Sequence, residues 1–130
     1  MKKKKKILYK DWVIGWLSEK KNYVKESTYA NYSNIVYNHL IPDLGNYRIG
    51  DINNKILQDL ILNKYRVGRL DNNGGLSDKT IRDISTIMKL SLKSAIKNNI
   101  IDYIDLDFYY PKRELVNKIY IYLARMNKRR

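Results

Sequence analysis

Cationic and hydroxyl side chains recur at three- and four-residue steps between positions 79 and 93 of this chain. They are Lys79, Arg82, Thr86, Lys89 and Lys93, with Thr80 beside the first. On an α-helix such steps bring side chains onto one face, and these side-chain types bind phosphate oxygens. Apolar residues recur with the same spacing on a second face: Ile81, Ile84, Met88, Leu92 and Ala95. The pattern predicts a helix that is buried on one side and contacts DNA phosphates on the other, although charged helix faces are more often simply solvated.

A second group of polar residues opens another predicted helix. It consists of Lys25, Ser27, Thr28 and Asn31. Amides and hydroxyls at a helix start can hold a phosphate. Ser27 is also a good candidate to cap that helix, and the two roles are compatible. We therefore expect this group to be a second phosphate contact.

The residues that are able to act in catalysis do not form a reactive set. Tyr120 and Tyr122 lie near the C-terminal end, but a tyrosine hydroxyl titrates near pH 10 and attacks phosphate only in a preorganised cationic pocket. His39 is the single histidine, and no cysteine is present. No carboxylates cluster at metal-ligand spacing. We predict no catalytic residues, no metal site and no cofactor.

The charge of the chain favours a polyanionic partner. Its 130 residues carry a formal net charge of +13. Nine of the 26 basic residues lie in the two tails, which leaves 17 basic and 13 acidic residues in the body. A basic tail adds affinity for nucleic acid mainly by releasing counterions, with little sequence information. We predict nucleic acid, ahead of acidic lipid, as the partner, and neither a membrane nor a small-molecule substrate.

Cysteine usage and hydropathy bear on the compartment. The absence of cysteine fits a reducing cytoplasm. No apolar run approaches the roughly 18 residues of a membrane span. The lysines at positions 2–6 are not followed by the apolar region and cleavage site of a secretory signal. We therefore predict a cytoplasmic protein.

Apolar periodicity predicts four main helices. The first covers about residues 7–20, with an apolar stripe of Leu8, Trp12, Val13, Trp16 and Leu17. The second begins at Ser27 and ends at Pro42 and Gly45, because proline and glycine stop helices. The third begins at Asn53 and Asn54 and precedes a polar loop over residues 68–75. The fourth runs from about Asp78 to Asn98, with Ser77 as its N-cap.

The remaining segments complete an all-α architecture. Residues 46–52 and 100–110 have no clear periodicity and are expected to be irregular connectors. A short final helix is expected to carry Leu115, Ile119, Tyr122 and Met126. The fold class is thus all-α, a small orthogonal four-helix bundle with basic tails and a short fifth helix at its C-terminal end. The expected organisation is a tail over residues 1–6, a DNA-binding domain over 7–112 and a basic extension over 113–130.

Four motifs, in this order, carry a family resemblance. They are the aromatic helix Trp12 to Leu17; Val24-Lys25-Glu26-Ser27-Thr28-Tyr29 leading to His39-Leu40-Ile41-Pro42-Asp43-Leu44-Gly45; Ile49-Gly50-Asp51-Ile52; and Gly75-Leu76-Ser77-Asp78-Lys79-Thr80-Ile81-Arg82, with Ala95 and Asn98-Asn99-Ile100-Ile101 later. This set resembles the core-binding domain of tyrosine recombinases, the phage and transposon integrases, which is also called the N-terminal SAM-like integrase domain. The resemblance covers about residues 8–112.

The resemblance implies a helical domain that clamps one face of a recombination half-site, while a separate C-terminal domain cuts the DNA. That second domain uses arginines, a lysine, a His-x-x-Arg element and a tyrosine. Here His39 is followed by Leu40, Ile41 and Pro42, so the His-x-x-Arg spacing is not met. Where such domains often have Asn-Pro, this chain has Ile104-Asp105. The resemblance therefore implies a truncated integrase or a fragment of one, which binds DNA without cutting it and meets other copies on the DNA.

Two other functions are compatible with parts of the sequence. One is a nuclease or recombinase that acts through Tyr120 or Tyr122. The other is a non-enzymatic, basic helical regulator that binds DNA or anionic surfaces. A covalent DNA adduct would distinguish the first from a binding module, and preference for duplex DNA over anionic vesicles would distinguish the second.

Overall fold

The fold was determined as a computed structural model, which describes residues 6–66 and 75–128. Its α-helices are α1 Tyr9–Lys20, α2 Glu26–Ile35, α3 Ile41–Leu44, α4 Asn54–Arg66, α5 Asp78–Lys97 and α6 Arg113–Lys128. A π-helical turn, Val36–Leu40, joins α2 to α3, and a 3-10 turn, Ile49–Asp51, precedes α4. The described part contains no strand, which confirms the all-α fold class. Residues 1–5 of the basic tail, 67–74 of the predicted loop, and 129–130 lie outside the described residues.

Helix α5 is the centre of the core. Its predicted apolar face is confirmed, because each of five side chains is at most 1% exposed: Ile81, Ile84, Met88, Leu92 and Ala95. Polar contacts fix α1 against the middle of this helix. The Tyr9 hydroxyl lies 2.7 Å from the Ser91 hydroxyl, and the Trp12 indole donates to the Ser91 carbonyl at 2.8 Å. Burial and hydrogen bonding together hold α1 and α5 in one register.

The connector before α4 also packs against α1. Leu8 and Arg48 form an isolated antiparallel bridge. The Tyr9 amide donates to the Tyr47 carbonyl at 2.9 Å, and the Ile49 amide donates to the Ile7 carbonyl at 2.7 Å. Residues 46–52, predicted as irregular, thus contain one 3-10 turn that these bonds attach to the start of α1.

Two predicted helix starts are confirmed by their caps. The Ser77 hydroxyl accepts from the Thr80 amide at 3.3 Å and so caps α5. The Asn53 side chain accepts from the Ile56 amide at 3.0 Å at the start of α4. In each case a side-chain oxygen satisfies an amide of the first turn that has no partner within the helix.

The predicted start of the second helix at Ser27 is wrong. Lys25 is the N-cap residue of α2, in extended backbone conformation and without a side-chain cap. The Tyr29 amide donates to the Lys25 carbonyl at 2.8 Å, which places Ser27 within the first turn. Glu26 in that turn is favoured by the positive end of the helix dipole.

The predicted stop at Pro42 is also wrong, since the helical path continues to Leu44. The Ile41 amide donates to the Val36 carbonyl, five residues back, as a π turn requires. Pro42 then lies in the first turn of α3, where a missing amide hydrogen costs no helical bond. Gly45 follows α3, and a Cβ there would lie 2.5 Å from the Ile41 carbonyl oxygen. The glycine, rather than the proline, marks the end of the helical run.

The chain reverses direction at the end of α5. Asn99 has a φ of 59°, in the left-handed region. The Ile100 amide donates to the Ala95 carbonyl at 2.9 Å, and the Asn99 amide donates to the Ile96 carbonyl at 3.1 Å. This pair of bonds is the Schellman pattern of a helix end. It directs residues 101–111, irregular as predicted, back along α5 toward α6.

Candidate nucleic-acid interface

The predicted basic stripe occupies one face of α5, away from the buried face. Lys79, Arg82, Thr86 and Lys93 are exposed, and Lys89 is half-buried. We keep the name basic stripe for Lys79, Arg82, Thr86, Lys89 and Lys93. Because Met88 and Leu92 on the same helix are fully buried, the rotation of α5 is fixed and the stripe faces outward.

One threonine in the stripe and one beside it have hydroxyls that form hydrogen bonds to residues three or four positions earlier in the chain. The Thr86 hydroxyl donates to the Arg82 carbonyl at 2.9 Å. The Thr80 hydroxyl accepts from the Ser77 hydroxyl at 2.9 Å. Since the Thr86 hydrogen is occupied, the cationic side chains are the principal donors that this face offers to a phosphate.

Acidic residues accompany the stripe and reduce its net charge. The Lys79 ammonium lies 3.6 Å from the Asp83 carboxylate, an exposed pair one helical turn apart. Between positions 78 and 107 the sequence has five basic and five acidic residues. An attractive field for DNA therefore depends on how these charges are separated in space and on the basic tails, not on an excess of charge in this region.

A cleft of about 440 Å³ separates the C-terminal half of α5 from residues 103–107. Lys89, Lys93 and Lys97 line it from the helix, and Asp105 and Asp107 line it from the opposite side. The aspartates partly offset the positive potential of the second half of the stripe. The first half, around Lys79 and Arg82, lies outside this cleft lining.

The second predicted group lies at the start of a different helix. Lys25, Ser27 and Asn31 are exposed, and Thr28 is half-buried. They open α2, which packs against α5. The structure thus gathers the candidate residues into two groups on two contacting helices.

Two aromatic residues beside the stripe were missed from the sequence. The Arg82 guanidinium lies 5.0 Å from the centre of the Tyr110 ring. The Lys89 ammonium lies 5.4 Å from the Phe108 ring centre and 5.8 Å from that of Tyr110. The aromatic run at positions 108–110, just before Pro111, was the available signal, because aromatic residues near cations are typical of such contacts.

The single histidine lies in the interior beside an ion pair between a buried lysine and an exposed aspartate. The Lys64 ammonium, on a residue 6% exposed, lies 2.5 Å from the Asp43 carboxylate. His39 is buried, and its Nδ1 atom has no hydrogen-bond partner among the described residues. Burial and the nearby Lys64 lower the pKa of His39, and Asp43 opposes this shift. The lowered pKa favours the neutral form of this buried imidazole.

Other chemistry receives little support from the described residues. Within 6–66 and 75–128, no three histidine, cysteine or acidic side chains are grouped so as to hold a metal ion. Tyr122 is 63% exposed on α6, and the side chain of Tyr120 lies outside the described part. No described helix is both long and apolar enough to cross a bilayer.

Comparison with known families identifies the N-terminal part of the chain. Residues 8–65 match the family model for the phage integrase N-terminal SAM-like domain. No curated protein and no solved structure matches the chain. The family match covers α1 to α4 up to Tyr65, and the basic stripe on α5 lies beyond it.

The matched family indicates a role in DNA binding of the phage-integrase type. The matched family model belongs to the tyrosine recombinases, in which the catalytic domain is a separate one. The helices α1 to α4 and their order agree with an all-α SAM-like domain. Residues 8–65 are therefore similar to the N-terminal SAM-like domain of phage-type integrases.

Proposed function

We propose that this protein is the DNA-binding module of a site-specific tyrosine recombinase and clamps one face of a recombination half-site. The observation that carries the proposal is the basic stripe, which lies outward on α5 next to a domain of integrase type. The group at the start of α2 supplies a second contact. Double-stranded DNA is the partner, and copies of the protein meet on it.

The proposed contacts differ along the stripe. Lys89 and Lys93 bind phosphates, which fix position without reading sequence. Lys79 and Arg82 lie near the start of α5 and are best placed to reach base edges. At α2, first-turn amides with Ser27 and Thr28 hold another phosphate. Most of the affinity is therefore electrostatic and falls as salt rises.

Charge reversal tests this interface. The variant Arg82→Glu with Lys89→Glu removes two stripe cations, and each lost phosphate contact lowers the salt slope of binding by about 0.9. We expect weaker duplex binding and a slope smaller by about one from the Lys89 phosphate contact alone, measured by fluorescence anisotropy over a salt series. Lys21→Glu with Lys55→Glu is the control, because both lysines are exposed elsewhere and the charge change is identical.

The comparison between these variants separates a specific surface from general charge. Equal losses in both variants would show that the stripe is only a solvated helix face. Retained affinity and slope in the stripe variant would overturn the proposal outright. Circular dichroism on each variant excludes unfolding as the cause of a loss.

We propose further that the chain does not cut DNA by itself. The scissile chemistry needs cationic groups around a phosphate, and the chain's one histidine lacks the His-x-x-Arg spacing. Incubation with a nicked suicide half-site should yield no covalent adduct on a denaturing gel. An adduct that disappears in Tyr122→Phe would establish catalysis instead.

The cellular setting follows from the same proposal. A recombinase module works where DNA is accessible, so we place it in the cytoplasm and away from membranes. Binding to anionic vesicles, compared with duplex DNA at equal ionic strength, tests this. Stronger vesicle binding would favour a basic regulator of anionic surfaces over a recombinase module.

A further inference from the structure

Two amide side chains on α4 form hydrogen bonds with the backbone of residues 105–109. The Asn54 side chain donates to the Asp105 and Asp107 carbonyls at 2.9 and 3.0 Å. One turn later, the Gln58 side chain donates to the Tyr109 carbonyl at 2.9 Å and accepts from the Tyr109 amide at 2.8 Å. Four hydrogen bonds from α4 thus hold an irregular segment in a defined path.

This path places two rings against the basic stripe. The Tyr110 ring lies 5.0 Å from the Arg82 guanidinium, and Phe108 and Tyr110 both lie within 6 Å of the Lys89 ammonium. The Tyr110 hydroxyl is hydrogen-bonded to Ser85, a residue 1% exposed on α5. Ser85 lies between Arg82 and Lys89 in sequence, so the ring is fixed from the helix as well as from its own segment.

A ring under a guanidinium restrains it without blocking it. Arginine stacks on an aromatic face through its π surface, and its N–H donors point outward in the plane of the group. A side chain that is ordered before binding loses less conformational freedom when it contacts a phosphate. Lys89 is ordered before binding in the same way, because its ammonium lies within 6 Å of the centres of two rings.

We propose that Tyr110 and Phe108 are positioning residues of the DNA-binding surface, which hold Arg82 and Lys89 in the orientation that contacts DNA. This inference rests on the proposed function of the stripe. The segment that carries Phe108 and Tyr110 thereby becomes part of the DNA-binding surface. It acts through Arg82 and Lys89 and does not contact DNA directly. Asn54 and Gln58 on α4 then contribute by keeping that segment in place.

A double-mutant cycle tests the inference. Tyr110→Leu removes the ring, and affinity for a labelled mixed-sequence duplex should fall about two- to five-fold, as expected for an exposed cation–π contact. In an Arg82→Gln, Lys89→Gln background the same substitution should have no further effect, because the cations it positions are gone. Tyr110→Phe restores the ring without the hydroxyl and should recover most of the lost affinity.

A neighbouring ring provides the matched control. Tyr109 is 61% exposed and makes its contacts to Gln58 through the backbone. Tyr109→Leu should therefore leave affinity unchanged. If Tyr110→Leu unfolds the protein, Phe108→Leu in a cycle with Lys89→Gln answers the same question.

Two failures are distinguishable. If Arg82→Gln, Lys89→Gln binds DNA as the parent does, the stripe is not the interface, and both the proposed function and this inference are overturned. If that variant binds weakly but Tyr110→Leu lowers affinity equally in both backgrounds, the interface stands and the positioning role is overturned.

Discussion

Helices α5 and α6 have similar sequence patterns but very different surroundings. In each, apolar residues recur at helical spacing and basic residues lie beside them. On α5 the apolar side chains that recur at this spacing are buried, Leu92 completely. On α6 the apolar side chains that the structure describes are 46–63% exposed: Leu115, Ile119, Ile121, Tyr122, Leu123 and Met126. Periodicity defines the apolar face of a helix, but other elements decide whether that face is covered.

The difference has a physical cause in the partners of each helix. Helix α5 is covered by α1 and α4, and the hydroxyls of Tyr9 and Ser91 meet inside that contact. Burial there raises the pKa of the Tyr9 hydroxyl above its usual range, while its hydrogen bond to Ser91 opposes the rise. The main contact of α6 with another helix is with α4. Most hydrophobic stabilisation should therefore come from α5 and its neighbours.

Truncating one apolar side chain on each helix should give the largest contrast. Leu92→Ala leaves a cavity in the core and should lower the free energy of unfolding by about 2–5 kcal/mol. Ile119→Ala on α6 should change it by about 0.5 kcal/mol or less, since the side chain is half exposed. Urea unfolding of both variants measures the difference. Similar losses would show that α6 is packed as well as α5.

Ser77 and Ser27 allow a capping serine to be compared with one that lies inside the first turn of a helix. Ser77→Ala removes the cap of α5 and should cost about 1 kcal/mol. Ser27→Ala, inside the first turn of α2, should cost less than about 0.5 kcal/mol. The same unfolding assay compares them. A larger loss for Ser27 would mean that α2 begins where its sequence pattern predicted.

The pH dependence of stability should report on the burial of His39, which lies in the π-helical turn between α2 and α3. The pKa of His39 is lowered in the fold, so the unfolded chain binds a proton first as pH falls. Stability should be complete above the ordinary pKa of 6.5 and decline as pH drops below it toward the folded-state pKa. His39→Gln should flatten this decline, as measured by unfolding between neutral and mildly acidic pH. Stability that increases on acidification would contradict the shift.

Removal of α6 should have the smallest effect. The described apolar side chains of α6 are 46–63% exposed, so the free energy of unfolding of a chain that ends at Lys112 should stay within about 0.5 kcal/mol of the full chain. The comparison uses the same urea series, with circular dichroism to follow the lost helical signal. A drop in stability similar to that of Leu92→Ala would show that α6 belongs to the core.

Local features were predictable because they depend on neighbours in sequence. Ser77 and Asn53 cap their helices as expected, since a short polar side chain reaches an amide three residues on. The buried face of α5 was also predictable from its period. By contrast, Pro42 suggested a helix end, but a π turn before it allowed the helical path to continue. Proline signals a break only when no alternative hydrogen-bond register is available.

The candidate interface was predictable only in part. The spacing of Arg82 and Lys89 places them on one face of any helix. That Tyr110 lies beneath Arg82 depends on residues 105–109 being held by Asn54 and Gln58, about fifty residues earlier in the chain. No local pattern encodes such a distant pairing. The burial of Lys64 could not be predicted from local sequence either, because its partner Asp43 lies on another helix.

The sequence by itself determined the helices, most of their ends, the side of α5 that is buried and the resemblance to integrase domains. These follow from spacing, capping and motif order, which act over a few residues. Only the tertiary structure decided that the described apolar side chains of α6 are exposed and that aromatic rings lie against the basic stripe. Both depend on which surfaces meet in three dimensions, and burial and cation–π contacts arise only when distant segments come within a few ångströms.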